Sequence, residues 1–147
     1  MTTASTNNAA SAEIAKLVAG WSEAVRAKDV DRVMSHYTPD VLVFETMPPL
    51  RYVGAEAYRP IWQEWFSGVE GKLEYEIREL TITANDDVGY SYSLNCVRTE
   101  TATERSETWL RTTTCYRKQG GKWLITHEHW SMPFDVQTGQ ALWDLKP

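Results

Sequence analysis

Apolar residues first recur at helical spacing. Ile14, Leu17, Val18, Trp21 and Val25 stand at i, i+3, i+4, i+7 and i+11, the stripe of an amphipathic helix that Ser11 is placed to cap. Asp29 caps a short second helix with Val30, Val33, Met34 and Tyr37 on its apolar face, and Thr38-Pro39-Asp40 reads as the turn that ends it. Val41 to Glu45 is a β-branched, apolar run that predicts a strand, broken by Met47-Pro48-Pro49. In a third helix Tyr58, Ile61, Trp62, Trp65 and Phe66 fall at i, i+3, i+4, i+7 and i+8. Pro60 fits its first turns, because deeper inside a helix a proline costs about 3 kcal/mol.

The remainder predicts β structure. Strands lie near 72–83, 88–100, 105–118 and 122–133, with turns at Asn85-Asp86-Asp87, Ala102-Thr103 and Gln119-Gly120-Gly121. Long consecutive strands form an antiparallel meander. Three helices ahead of one sheet give an α+β fold, with the helices packed on a single face. The polar, small residues 1–11 read as a disordered tail, 12–135 as the domain and 136–147 as a C-terminal extension. That extension carries Leu142 and Trp143, which can close over a pocket or a neighbouring subunit.

Composition narrows the class. At 147 residues the chain fits one domain, large enough for a core plus a cavity. A net charge of −5 with both signs interspersed leaves no nucleic-acid footprint. There is no membrane span, which takes roughly 18 apolar residues, and residues 1–11 lack signal-peptide regions. Cys96 and Cys115, without metal spacing, point to a reducing, cytoplasmic setting. Seven Trp and seven Tyr exceed what a minimal core needs and suit a ligand pocket or a subunit interface.

The segments "HYTPDVLVFE", "VGAEAYRPIWQEWF" and "YRKQGGKWLITHEHWSMPFD" resemble the SnoaL-like and ketosteroid isomerase-like superfamily, which shares the nuclear transport factor 2-like fold. The resemblance covers about residues 12–135. It implies a cone-shaped, bent sheet, a pocket between sheet and helices, and a homodimer. Family members include isomerases, cyclases, dehydratases, epoxide hydrolases and non-catalytic assembly domains, so the fold leaves function open. In steroid isomerases a carboxylate base ends the first strand, and Glu45 occupies that place. Their two oxyanion donors match Trp21 and, approximately, Thr113 here, so that pair is lost. Trp130 matches a pocket aromatic.

Alternation along strands then assigns faces. With Trp130 inward, Glu128 and Thr126 follow. Trp109, Arg111, Thr113 and Cys115 share that face on the preceding strand, and Tyr90, Tyr92, Leu94 and Cys96 on the one before, unless a bulge flips part of the set. Glu45 is either a desolvated acid–base group or an exposed strand-end glutamate. Glu128 and Arg111 form a buried pair in which Arg111 holds an oxygen while Glu128 moves protons, or a purely structural pair. Tyr58 and Trp62 are pocket lids or core. His127 and His129 point to the outer face, together with Ser91, Ser93, Asn95 and Val97. The spacing supports no metal site, and the expected chemistry needs no cofactor.

Two functions follow from these expectations. One is a cofactor-independent proton-transfer enzyme of isomerase, cyclase or hydrolase type, acting on a small hydrophobic carbonyl or polyketide-like molecule. Glu45, Glu128 and Arg111 are its catalytic candidates, and Trp21, Tyr58, Trp62, Tyr92, Trp109, Thr113 and Trp130 its substrate-binding candidates. The alternative is a non-catalytic small-molecule-binding or assembly domain of the same fold.

Overall fold

The computed structural model describes residues 4–5 and 8–147. The expectation of a disordered 1–11 tail lies partly outside them. Within them, β1 (Ala4–Ser5) pairs in parallel with Thr81 and Ile82, and helix α1 (Ala9–Arg26) has already begun. Asn8, not Ser11, caps α1. The Asn8 side chain accepts from the Ser11 backbone N at 2.8 Å, and the Ser11 hydroxyl accepts from the Asn8 backbone N at 3.3 Å. This reciprocal box satisfies two otherwise unpaired amides.

Helix α2 (Val30–Met34) is capped by Asp29, as expected. Strand β2 (Tyr37–Phe44) starts earlier than its apolar run implies. Thr38, Pro39 and Asp40 lie in it instead of forming a turn, and an irregularity in the pairing between Tyr37 and Leu42 accommodates them. After the two-residue β3 (Tyr52–Val53) comes α3 (Ala55–Gly68). Pro60 is its sixth residue, beyond the first turn. Both it and Glu56, the residue whose carbonyl would otherwise accept from position 60, are exposed.

The meander follows prediction closely: β4 (Lys72–Ala84), β5 (Val88–Glu100), β6 (Arg105–Gln119) and β7 (Lys122–Ser131). Sheet order is β1-β4-β5-β6-β7-β2-β3, with β2 parallel to β7. Glu79, at φ 56°, marks a bulge that bends β4. Gly89 lets α1 approach the sheet, since a Cβ there would stand 2.7 Å from Ile14 Cδ1. The core lies between the helices and the concave face. Ile14, Trp21, Val25, Tyr58, Trp62 and Phe66 meet Val41, Val43, Tyr75, Ile82 and Trp130 there.

A second bulge decides which residues face that core. The Gly120-Gly121 hairpin pairs Tyr116 with Ile125, but the next pair is Cys115 with His127. Thr126 is the extra residue, half-buried and outside the alternation. Beyond it Thr114 faces Glu128 and Thr112 faces Trp130. The inward set on β6 is therefore Thr112, Thr114 and Tyr116, and on β5 Ser91, Ser93 and Asn95. Trp109, Arg111, Thr113, Cys115, Tyr90, Tyr92, Leu94 and Cys96 belong to the convex face, opposite to expectation.

The extension forms a small hairpin, with Phe134 bridged to Ala141 and the Leu142 amide donating to Pro133 O at 2.9 Å. Trp143 is 56 % exposed. Among the described residues no helix is long and apolar enough to cross a membrane. Both cysteines are free.

Candidate active site

Strand β7 delivers Glu128 and Trp130 to the concave side, β2 delivers Tyr37, and α1 lays Trp21 across them. These residues form one hydrogen-bonded chain. Trp21 Nε1 donates to Tyr37 Oη at 3.0 Å, Tyr37 Oη donates to Glu128 Oε2 at 3.0 Å, and Trp130 Nε1 donates to the same Oε2 at 3.0 Å. Glu128 is 2 % exposed. Burial pushes its carboxyl pKa up to about 8 against the opposing effect of the Trp130 and Tyr37 bonds, and the charge of Glu45 adds to the rise. Tyr37 is raised well above its ordinary value by burial and by Glu128, so it keeps its proton and serves as donor. Both bonds end on Oε2. No protein hydrogen bond among the described residues reaches Oε1, and Glu128 borders a cavity.

That cavity, of about 20 Å³, lies between α1 and the concave face. The aromatic rings fill the cone instead of leaving it open. Trp21 packs against Trp62 at 5.7 Å, Tyr75 at 5.4 Å and Trp130 at 6.0 Å between centroids. The part of the lining that β5 and β6 supply is polar and uncharged. Ser91 Oγ shares a 2.7 Å bond with Tyr116 Oη, and Ser93 Oγ donates to Asn95 Oδ1 at 2.7 Å. Asn95 Nδ2 in turn donates to Tyr75 Oη at 2.7 Å. Thr112 Oγ1 is buried without a partner. Leu17 and Ser93 are the half-buried lining residues, so the cavity comes nearest to solvent there.

Glu45 lies just past the end of β2, half-buried and outside the cavity lining. Tyr58 Oη donates to its Oε1 at 2.9 Å, and the Thr46 amide donates to Oε2 at 2.9 Å. Tyr58 stacks edge-on to Tyr37 at 5.7 Å and to Trp62 at 5.9 Å. Glu45, Tyr58 and Trp62 thus form an outer layer behind the Glu128 chain. The Trp62 indole N–H is buried without a partner.

Among the expected site residues, Glu128, Trp21 and Trp130 meet at the cavity, while Glu45, Tyr58 and Trp62 stand behind them, outside its lining. The others lie across the sheet. Arg111 is exposed, donates to Ser131 Oγ at 3.1 Å and makes no pair with Glu128. Tyr92 is 51 % exposed and Thr113 exposed. Trp109 sits under Arg78 on the convex face at 4.6 Å. The bulge after Ile125 is the physical reason for all four. Sequence reasoning missed Tyr37, assigned to the end of a helix, and the Ser/Thr/Asn lining. The signal for that lining was the run of hydroxyl residues at alternate positions, Thr112 and Thr114 beside Ser91 and Ser93. Among the described residues no three or more His, Cys, Asp or Glu side chains cluster as metal ligands.

Comparison with known proteins places this geometry. No curated protein matches the chain. Residues 14–135 match the family described as the SnoaL-like domain. An NTF2-like protein of unknown function from Pseudomonas putida is 35 % identical, with 95 % of this chain and 97 % of that one covered and a TM-score of 0.87. A ketosteroid isomerase-like protein from Erwinia carotovora atroseptica is 20 % identical, over 84 % of this chain and 96 % of that one, with a TM-score of 0.69. A candidate dehydratase of the NTF2-like family from Streptomyces avermitilis is 11 % identical over 84 % and 96 % of the two chains, at a TM-score of 0.74. The last two likenesses establish the fold alone. With a match across most of its length, this chain belongs to the SnoaL-like domain family.

Proposed function

We propose that this protein is an acid–base enzyme that transfers a proton on a small, uncharged carbonyl compound, with Glu128 as the proton-carrying group. The observation that carries this reading is a buried carboxyl at the edge of a cavity, with one oxygen fixed by Tyr37 and Trp130 and the other without a protein hydrogen bond among the described residues. Near neutral pH this carboxyl holds its proton and can release it close to pH 8, the range in which a general acid or base is most effective. The cavity lining offers no cation, which disfavours an anionic substrate. Glu45 is the second carboxylate, held by Tyr58 in the outer layer. Isomerase-like and dehydratase-like neighbours agree with such chemistry without specifying it. The free cysteines support a cytoplasmic setting.

The test follows hydrogen–deuterium exchange at the carbon beside the carbonyl, over a panel of neutral ketones and enones in heavy water. Glu128→Gln should slow the exchange that the protein catalyses by about 10²–10⁴-fold. Equal rates in wild type and variant would remove Glu128 from the chemistry.

The small cavity favours one competing reading, a binding or assembly domain, because anything larger than water needs side chains to move. Absence of catalysed exchange over the whole panel, with a ligand-induced rise in melting temperature, would favour it. In either case we propose a homodimer through the convex face, where Tyr90 and Tyr92 are about half exposed, at 46 % and 51 %. Large exposed rings on one sheet face suit an interface. Light scattering that finds only the 16.8 kDa monomer at micromolar concentration would refute the dimer.

A further inference from the structure

Among the described residues, the Thr112 hydroxyl is the one polar group of the cavity lining that is buried without a hydrogen-bond partner. Thr112 is 5 % exposed. Its polar neighbours on β5 are satisfied within the protein, Ser91 by Tyr116 and Ser93 by Asn95. A buried hydroxyl without a partner is costly, and such groups are normally satisfied by an ordered water or a ligand. Two residues along β7 from Thr112's pairing partner Trp130 stands Glu128, so the two side chains are diagonal neighbours on one face. Diagonal pairs have Cβ atoms about 7 Å apart or somewhat less. The ends of a threonine and a glutamate at that spacing leave room for one bridging oxygen. The cavity they share, about 20 Å³, exceeds the roughly 10–15 Å³ that one water requires.

We propose that Thr112 Oγ1 and Glu128 Oε1 form a two-point site for a single uncharged oxygen, occupied by water in the resting protein and by the carbonyl or hydroxyl oxygen of the substrate during turnover. The substrate half of this statement rests on the acid–base reading above, whereas the water half stands without it. Thr112 is then a specificity-determining residue. A ligand that lacks an oxygen at this point leaves two buried polar atoms without partners, which a site built around a hydrogen bond rejects strongly.

The experiment needs no substrate. Selectively ¹³C-labelled glutamate reports the titration of Glu128 by NMR in wild type, Thr112→Val and Thr112→Ser. Tyr37, Tyr75 and Tyr116 around the carboxyl are all raised and stay protonated throughout, and Glu45 is common to every variant. Removing the hydroxyl loosens the bridging water and desolvates the carboxylate further, so Thr112→Val should raise the Glu128 pKa by about one unit. Thr112→Ser should restore it. An unchanged titration in Thr112→Val would overturn the site. If that variant does not fold, a high-resolution crystal structure of the wild type decides. An oxygen within hydrogen-bond distance of both atoms supports the proposal, and an empty cavity refutes it. Failure of Glu128→Gln to slow deuterium exchange, with the Thr112→Val shift present, would remove the enzymatic reading and leave the oxygen site standing.

Discussion

The two faces of the sheet carry the same small motif with opposite results. Glu107-Thr108-Trp109 on β6 and Glu128-His129-Trp130 on β7 are each a glutamate followed two residues later by a tryptophan. In both, the indole Nε1 donates to the glutamate carboxylate at 3.0 Å. Glu107 lies on the convex face, where Arg98 Nε bonds its Oε2 at 2.8 Å, and its pKa is drawn down to about 2 by Arg98 and then Trp109. Glu128 lies on the concave face, buried and with no cation bonded to it, and its pKa rises to about 8. The indole bond favours the charged form in both places, so it does not set the direction. Water and arginine set it. One face shows a solvated ion-pair network, Glu76–Arg98–Glu107 with Arg78 above Trp109; the other shows a carboxyl protonated at neutral pH.

The largest test of this contrast is stability against pH. The folded pKa of Glu128 lies above its ordinary value of 4.5. The folded protein therefore keeps a proton that the unfolded chain has already shed. The stability tied to this group is complete below about pH 4.5 and is lost as pH rises toward about 8, by about 1.4 kcal/mol per pH unit at most. Denaturant titrations between pH 5 and pH 8, run with Glu128→Gln alongside, should show the slope in wild type and its disappearance in the variant. Parallel curves would mean that Glu128 is not desolvated as described.

A smaller effect separates the two indoles. Trp130→Phe removes one of two donors to Glu128 and should raise its pKa by about one unit. Trp109→Phe should raise Glu107 less, because Arg98 and water remain. ¹³C titration of both carboxyls measures the pair of shifts. A larger shift at Glu107 than at Glu128 would break the comparison.

The sequence made the fold legible and the site only half so, and a single residue accounts for most of the gap. A two-residue turn at Gly120-Gly121, followed by unbroken pairing, sets Glu128 opposite Thr113 and Trp130 opposite Arg111. That arrangement yields the buried Glu128–Arg111 pair expected from alternation. The extra residue after Ile125 moves the partners to Thr114 and Thr112 and turns β5 and β6 over with them. Nothing in Thr126-His127 signals a bulge, since no glycine marks it. The helical stripes and strand limits were legible because they depend on periods of several residues, which one insertion does not erase. Tyr37 was hidden for another reason. Pro39 and Asp40 carry turn chemistry, and pairing with the parallel partner, 88 residues away at Ile125, helps keep that stretch extended.

The hydrogen bond from Tyr37 to Glu128 joins residues 91 apart in the chain. The antiparallel meander can assemble from local hairpins, but it then holds an acid whose phenolic partner is still elsewhere. Closing so long a loop is entropically slow compared with pairing neighbouring strands. The cost of closing that loop predicts that the acid is completed late in folding, when β2 docks alongside β7. A fragment spanning the meander alone would carry Glu128 and Thr112 without Tyr37 or Trp21. Recombination that exchanged the N-terminal segment between relatives would supply a new set of groups around the same carboxyl while leaving the meander intact.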